Sequence, residues 1–198
     1  MAAGDLTTLA NVKSWLGSGT AIDDAILTRI ITSYSQYIQT WLNRTIASAP
    51  YTEKRTGSGS NTMALANYPC TAVSSLTVGG FSVAPSPDGV QAGYVFDDRF
   101  IYLIGNVGFG PYFPNSAPNQ FPKWPPLGIQ IAYTAGFAVT PPELEQAVIE
   151  LIALRYTERT RIGQQSKSIQ GETVSFIVKD MPDSVKTILQ NYRKVVPV

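Results

Sequence analysis

IQIAYTAGFAVTPPELEQAVIELIALRYTERT, residues 129–160, carries two periodicities back to back. Ile129, Ile131 and Tyr133 alternate with small or polar residues, the period of a strand with one face on a core. Beyond Gly136, Leu144, Ala147, Val148, Leu151, Ile152 and Leu154 recur at helical spacing. Thr140 is a natural N-cap, Pro141 fits the first helical position, and Glu143 stands where a capping box places its acid. Gly163 is the expected end of the helix. The chain therefore leaves a sheet and enters a helix here.

Upstream of the sheet the pattern is helical again. Leu6, Leu9, Val12, Trp15 and Leu16 share a helical face, with Gly17 as the residue that closes it. Asp23 and Asp24 suit the positive end of a second, longer helix. Its apolar stripe runs through Ile26, Leu27, Ile30, Ile31, Tyr34, Ile38, Trp41 and Leu42, and it ends near Asn43–Arg44. A last amphipathic helix starts at Pro182-Asp183-Ser184 and carries Val185, Ile188, Leu189 and Tyr192. The fold class is α+β: a bundle of about four helices with a small antiparallel sheet module inserted. The expected division is 1–49 helical, 50–137 inserted sheet, and 138–198 C-terminal helices with a connecting arm at 163–180.

Within the insertion, VSSLTVGGFSV reads as a hairpin whose Gly79-Gly80 turn requires positive φ. Tyr94–Phe96 and Phe100–Ile104 read as a strand pair around Asp97-Asp98-Arg99. Residues 105–126 hold six prolines, three glycines and five aromatics with one charge, Lys123, so the segment is a loop. It either folds back to bury its aromatics or offers Tyr112, Phe113 and Trp124 to a partner.

Composition excludes most chemistry. Hydrophobic residues make up 44%, which supports a packed core, while charged residues are only 15%, well under the roughly 25% of an ordinary soluble domain. A surface that poor in charge fits one covered by partners. There is no histidine, which removes the usual general base and the commonest metal ligand. Cys70 is the single cysteine, with neither a disulfide partner nor a histidine to activate it, and reads as a small core residue. Asp97-Asp98 reads as a turn, and Gly57 and Gly59 lack the lysine and helix of a phosphate loop. We expect no enzyme, no cofactor and no metal. MAAGDLTTLANVKSWL has no basic flank before an apolar run, and no apolar run reaches the ~20 residues of a membrane span, so neither signal peptide nor membrane contact is expected.

One stretch is strongly charged. From Arg155 to Lys167, four cations (Arg155, Arg159, Arg161, Lys167) face one anion, Glu158, a local excess of +3 in a chain whose net charge is +1. Cations favour a helix C-terminus, and Glu150 and Glu158 are candidates to absorb part of the charge. A partner protein or passing DNA is the alternative use.

The ordered set LTTLANVKSWLG, DDAILTRIITSYSQYIQTWLNR, IQIAYTAGFAVTPPELEQAVIELIALRYTERTRIGQQSKSIQGETVSF and MPDSVKTILQNYRK resembles the head–tail connector (adaptor, head-completion) proteins of long-tailed bacteriophages. The resemblance covers residues 5–56 and 127–194 and is weaker between; the 105–126 loop is longer than the family's usual connection. It implies a structural virion protein at the head–tail interface, assembled in the host cytoplasm. It further implies a homo-oligomeric ring, typically twelve-fold, below the portal protein. Such a ring extends the DNA exit channel, passes genomic DNA without sequence specificity, and docks the next head-completion or tail protein. On that footing Ser166, Lys167, Ser168, Glu172, Val174 and Phe176 would form an arm reaching a neighbour or the portal. Arg155, Arg159, Arg161, Tyr192 and Arg193 would make ring or partner contacts. Two other readings stay open: a non-enzymatic carbohydrate- or peptide-binding module using Tyr112, Phe113 and Trp124, and a helical DNA-binding protein using Arg155–Arg161. The net charge of +1 argues against the second.

Overall fold

Helix α1, Leu9–Leu16, starts one turn later than the apolar spacing allows, because Thr8 supplies the cap. Its side chain accepts a hydrogen bond from the Asn11 amide at 3.2 Å. Leu6 lies before the helix in non-helical chain, yet it is buried. Gly17 adopts φ 64° and closes the helix as expected. The computed structural model describes residues 4–107, 119–159, 166–169, 172–175 and 181–194. The chain divides into two units, one made of Met1–Ala47 with Val139–Val198 and the other of Ser48–Ala138.

The first unit is helical. α2 spans Asp24–Leu42 and ends on Asn43 at φ 54°. Lys13 bridges α1 to its first turn through Asp24 at 2.8 Å. α3 spans Pro142–Glu158 and α4 spans Asp183–Tyr192. α3 packs on all three other helices. That is why Leu144, Ala147, Val148, Ile149, Leu151 and Ile152 are all buried, more than a single stripe. Leu27, Ile31, Ile38 and Leu42 of α2 and Val185 and Leu189 of α4 complete this core. Each such side chain contributes about 1.5–3 kcal/mol by leaving water.

The start of α3 corrects the sequence reading. Pro141 is the cap at φ −54°, ψ 134°, Pro142 is the first helical residue, and no side-chain capping bond forms. The Pro142 ring disfavours helical geometry at the residue before it, so Pro141 stays extended and the Thr140–Glu143 box is never built. At its other end the described α-helix runs to Glu158, with Arg159 still in right-handed helical geometry; Gly163, the expected end, lies outside the described residues.

The second unit holds two antiparallel sheets. β1 (Ala49–Arg55), β3 (Cys70–Val78), β4 (Phe81–Val83) and β7 (Ile129–Ala135) form a sheet ordered β1-β7-β3-β4. β2 (Thr62–Ala64), β5 (Gly93–Phe96) and β6 (Phe100–Ile104) form the other, ordered β2-β6-β5. Gly79 and Gly80, at φ 57° and 89°, make the predicted β3–β4 turn. One core serves both sheets: Leu76, Val78, Ile129, Ile131 and Tyr133 from the first and Met63, Tyr94, Ile101 and Leu103 from the second. Cys70 belongs to it, with burial raising its thiol pKa. Phe121 is wholly buried in the same core, so the end of the long loop does fold back onto the sheets.

The segment between α3 and α4 contains two further strands, β8 (Ser166–Ile169) and β9 (Glu172–Ser175), paired antiparallel with Lys167 opposite Val174. The β9 strand matches the ETVSF pattern; its partner SKSI had carried no strand signal.

Candidate functional site

The arginines at the end of α3 sit against α2. The Arg155 guanidinium lies over the Tyr34 ring, 5.8 Å from its centroid. Arg159 covers the Tyr156 ring at 3.8 Å, donates from Nη1 to the Tyr156 carbonyl at 2.8 Å, and places Nη2 3.8 Å from Asp23 Oδ1. Tyr156 donates its hydroxyl to the other Asp23 oxygen at 2.5 Å, and that bond raises the Tyr156 pKa. Asp23, Tyr156 and Arg159 thus join the start of α2 to the end of α3. A guanidinium stacked on an aromatic face suits both uses, structural and interfacial, because stacking covers its flat face while its N–H groups hydrogen-bond in the plane.

The opposite end of the unit is joined in the same manner. The Arg193 guanidinium lies 5.2 Å from the Trp41 ring, and the Lys194 amide donates to the Leu42 carbonyl at 2.9 Å. Tyr192 donates to Glu143 Oε1, and burial together with that bond pushes its pKa up to about 12. Tyr192 and Arg193, expected as ring or partner contacts, make these contacts within the subunit.

Ser166, Lys167, Ser168, Glu172 and Val174 fall on the β8–β9 hairpin, at paired register positions. Arg161, Phe176, Tyr112 and Phe113 lie outside the described residues. Trp124 is 67% exposed, the described member of the aromatic set proposed for loop binding.

Asp97 behaves as a turn residue. Its carboxylate accepts from the Arg99 and Phe100 amides, both at 2.7 Å, and from the Tyr102 hydroxyl at 2.7 Å, and these bonds lower its pKa. Among the described residues no group of three or more His, Cys, Asp or Glu side chains could hold a metal ion, and no helix is long and apolar enough to cross a membrane.

Sequence reasoning missed Asp23, Tyr34, Trp41 and Tyr156 as the partners of the arginines. It also missed the outward face of α2. DAILTRIITSYSQYIQTWL contains only two charged residues, Asp24 and Arg29, and that scarcity was the available signal.

The described residues thus hold two cores, aromatic-backed cations, and exposed apolar side chains. The family model for the head completion protein matches residues 5–105 and 115–195. The chain belongs to the head completion protein family, and its role is structural. The match breaks within the long loop, where the chain departs from the family pattern. Among solved structures, chains from the neck of an empty gene transfer agent (GTA) particle computed with C6 symmetry and from the neck of a native GTA particle computed with C12 symmetry share the fold. Identities are 21% and 20%, each with a TM-score of 0.56, over 100% of this chain and 94% of the other. A chain from the virion of a native GTA particle aligns over the same shares, at 22% identity and TM-score 0.54. Among curated proteins none matches.

Proposed function

We propose that the protein completes the DNA-filled head by forming a ring, twelve subunits around, below the portal, and that this ring receives the next neck or tail component. The observation that carries the reading is the family match across nearly the whole chain, both units included. The likeness to neck chains, one from a neck computed with C12 symmetry, supports it. The low charge of the chain fits a surface meant to be covered.

DNA would pass this ring without being held. A strongly basic lining would grip phosphates through counterion release. Here the net charge is +1, Arg155 lies over Tyr34, and Arg159 is engaged by Asp23 and Tyr156. The arm at 163–180, with its β8–β9 hairpin, is the element we assign to the portal or to a neighbouring subunit, since a short hairpin can add its edge to another sheet.

The test is complementation. Heads filled in the absence of this protein should leak DNA and refuse tails; adding the purified protein should restore tail joining. Heads that accept tails equally well without it would defeat the proposal.

A further inference from the structure

α2 presents a second stripe, separate from its core stripe. Ile22, in the turn before the helix, is followed at steps of four, three, four and four by Ile26, Arg29, Ser33 and Tyr37. All five are exposed, Ile22 at 86% and Ile26 and Tyr37 at 44% each. A water-facing helix of this length would ordinarily carry about five charges. α2 has two, and Asp24 is already committed to Lys13. Arg29 is the one charge left on an otherwise uncharged face, and it takes part in none of the ion pairs among the described residues.

A complementary patch exists on the sheet unit. The β5–β6 turn exposes Phe96 and Phe100 with Asp98 between them. Asp97 is used up by the turn itself, and the Arg99 guanidinium is held 4.7 Å from the centroid of the Tyr68 ring. Asp98 gives only its backbone carbonyl, to the Cys70 amide at 2.8 Å, and its carboxylate joins no ion pair among the described residues. The other acids are mostly spoken for: Glu53 by Tyr133 and Arg55, Glu143 by Tyr192, Glu145 by Thr7 and Asn11, Asp88 by Val90 and Gln91. Glu158 stays at the cationic end of α3. Asp98 is thus the uncommitted acid that sits between exposed aromatic side chains.

We propose that the outer stripe of α2 in one copy seats the β5–β6 turn of the next copy, with Arg29 paired to Asp98. This rests on the ring reading above. A cyclic ring needs two different patches on each subunit that fit one another, and these two match in apolar character and oppose in charge. Phe96 and Phe100 pack beside Ile22, Ile26 and Tyr37 and exclude water from the pair, which then sets the register between subunits.

Charge exchange tests it. Arg29→Glu, Asp98→Arg and the double variant are compared with wild type by native mass and negative-stain imaging, alone and with portal rings. Melting temperature of the monomer controls for folding. Each single variant should raise the concentration needed for ring closure about tenfold or more, and the double variant should recover most of that loss. Singles that assemble like wild type overturn the proposal, as does a double variant no better than the singles. Normal rings that no longer bind the portal would show that the portal occupies the α2 face, which also overturns it. Wild type that forms no ring under any condition defeats the ring reading itself, a separate and recognisable result.

Discussion

Tyr133 is 1% exposed, so its hydroxyl must find partners inside the sheet unit. It donates to Glu53 Oε1 and accepts from the Asn67 amide at 3.0 Å. Burial first, and the Glu53 bond second, raise its pKa far above the usual phenol range. Tyr133→Phe removes the donor while leaving a half-buried carboxylate behind, and should cost about 1–3 kcal/mol in a urea unfolding curve. Gly57 makes a different demand. A Cβ there would stand 2.3 Å from the Phe121 carbonyl oxygen, so two backbones touch at this point. Gly57→Ala should destabilise by about 1–3 kcal/mol, read in the same assay. The sequence offered Gly57 only as a poor phosphate loop. Its real constraint comes from Phe121, far along the chain, and nothing local announces that.

At the scale of elements, the ends of the helical unit are held by tyrosine–carboxylate bonds, and one of them makes a pH prediction. Tyr192 rises from 10 to about 12 when the helices pack. Its contribution to stability is therefore complete below pH 10 and is lost as pH climbs through about 12. The stability gap between wild type and Tyr192→Phe should be steady at neutral pH and close across that window; a gap unchanged to pH 12 would contradict the assigned bond. The helices and the strands β3 to β7 were legible because their periods were strong. β1, APYTEKR, and β8, SKSI, carry too little apolar alternation to announce a strand, and pairing partners decide them instead. The α3 cap was misread because Pro142 overrides the good capping chemistry of Thr140. The candidate site was half legible. The arginine cluster stood out as charge, whereas the aromatic rings that hold it lie on α2 and on neighbouring turns. Arg155 is partly buried, and Arg155→Ala should cost more than loss of a surface charge, since the Tyr34 face loses its cover; about 1 kcal/mol is expected by denaturation.

At the scale of the molecule, charge economy is the thread. A chain with 15% charged residues spends many of its described carboxylates on internal bonds and leaves apolar side chains such as Ile22, Trp15, Trp124 and Leu127 in the open. A free monomer gains nothing from that surface; a subunit of the proposed ring would have partners to cover it. The most direct test is the mass and shape of the purified protein over a wide concentration range, by native mass measurement with negative-stain imaging, alone and with portal rings. The account predicts closed rings of one stoichiometry, twelve subunits, at high concentration or on the portal. A protein that stays monomeric at every concentration, and does so with portal rings present, would contradict it.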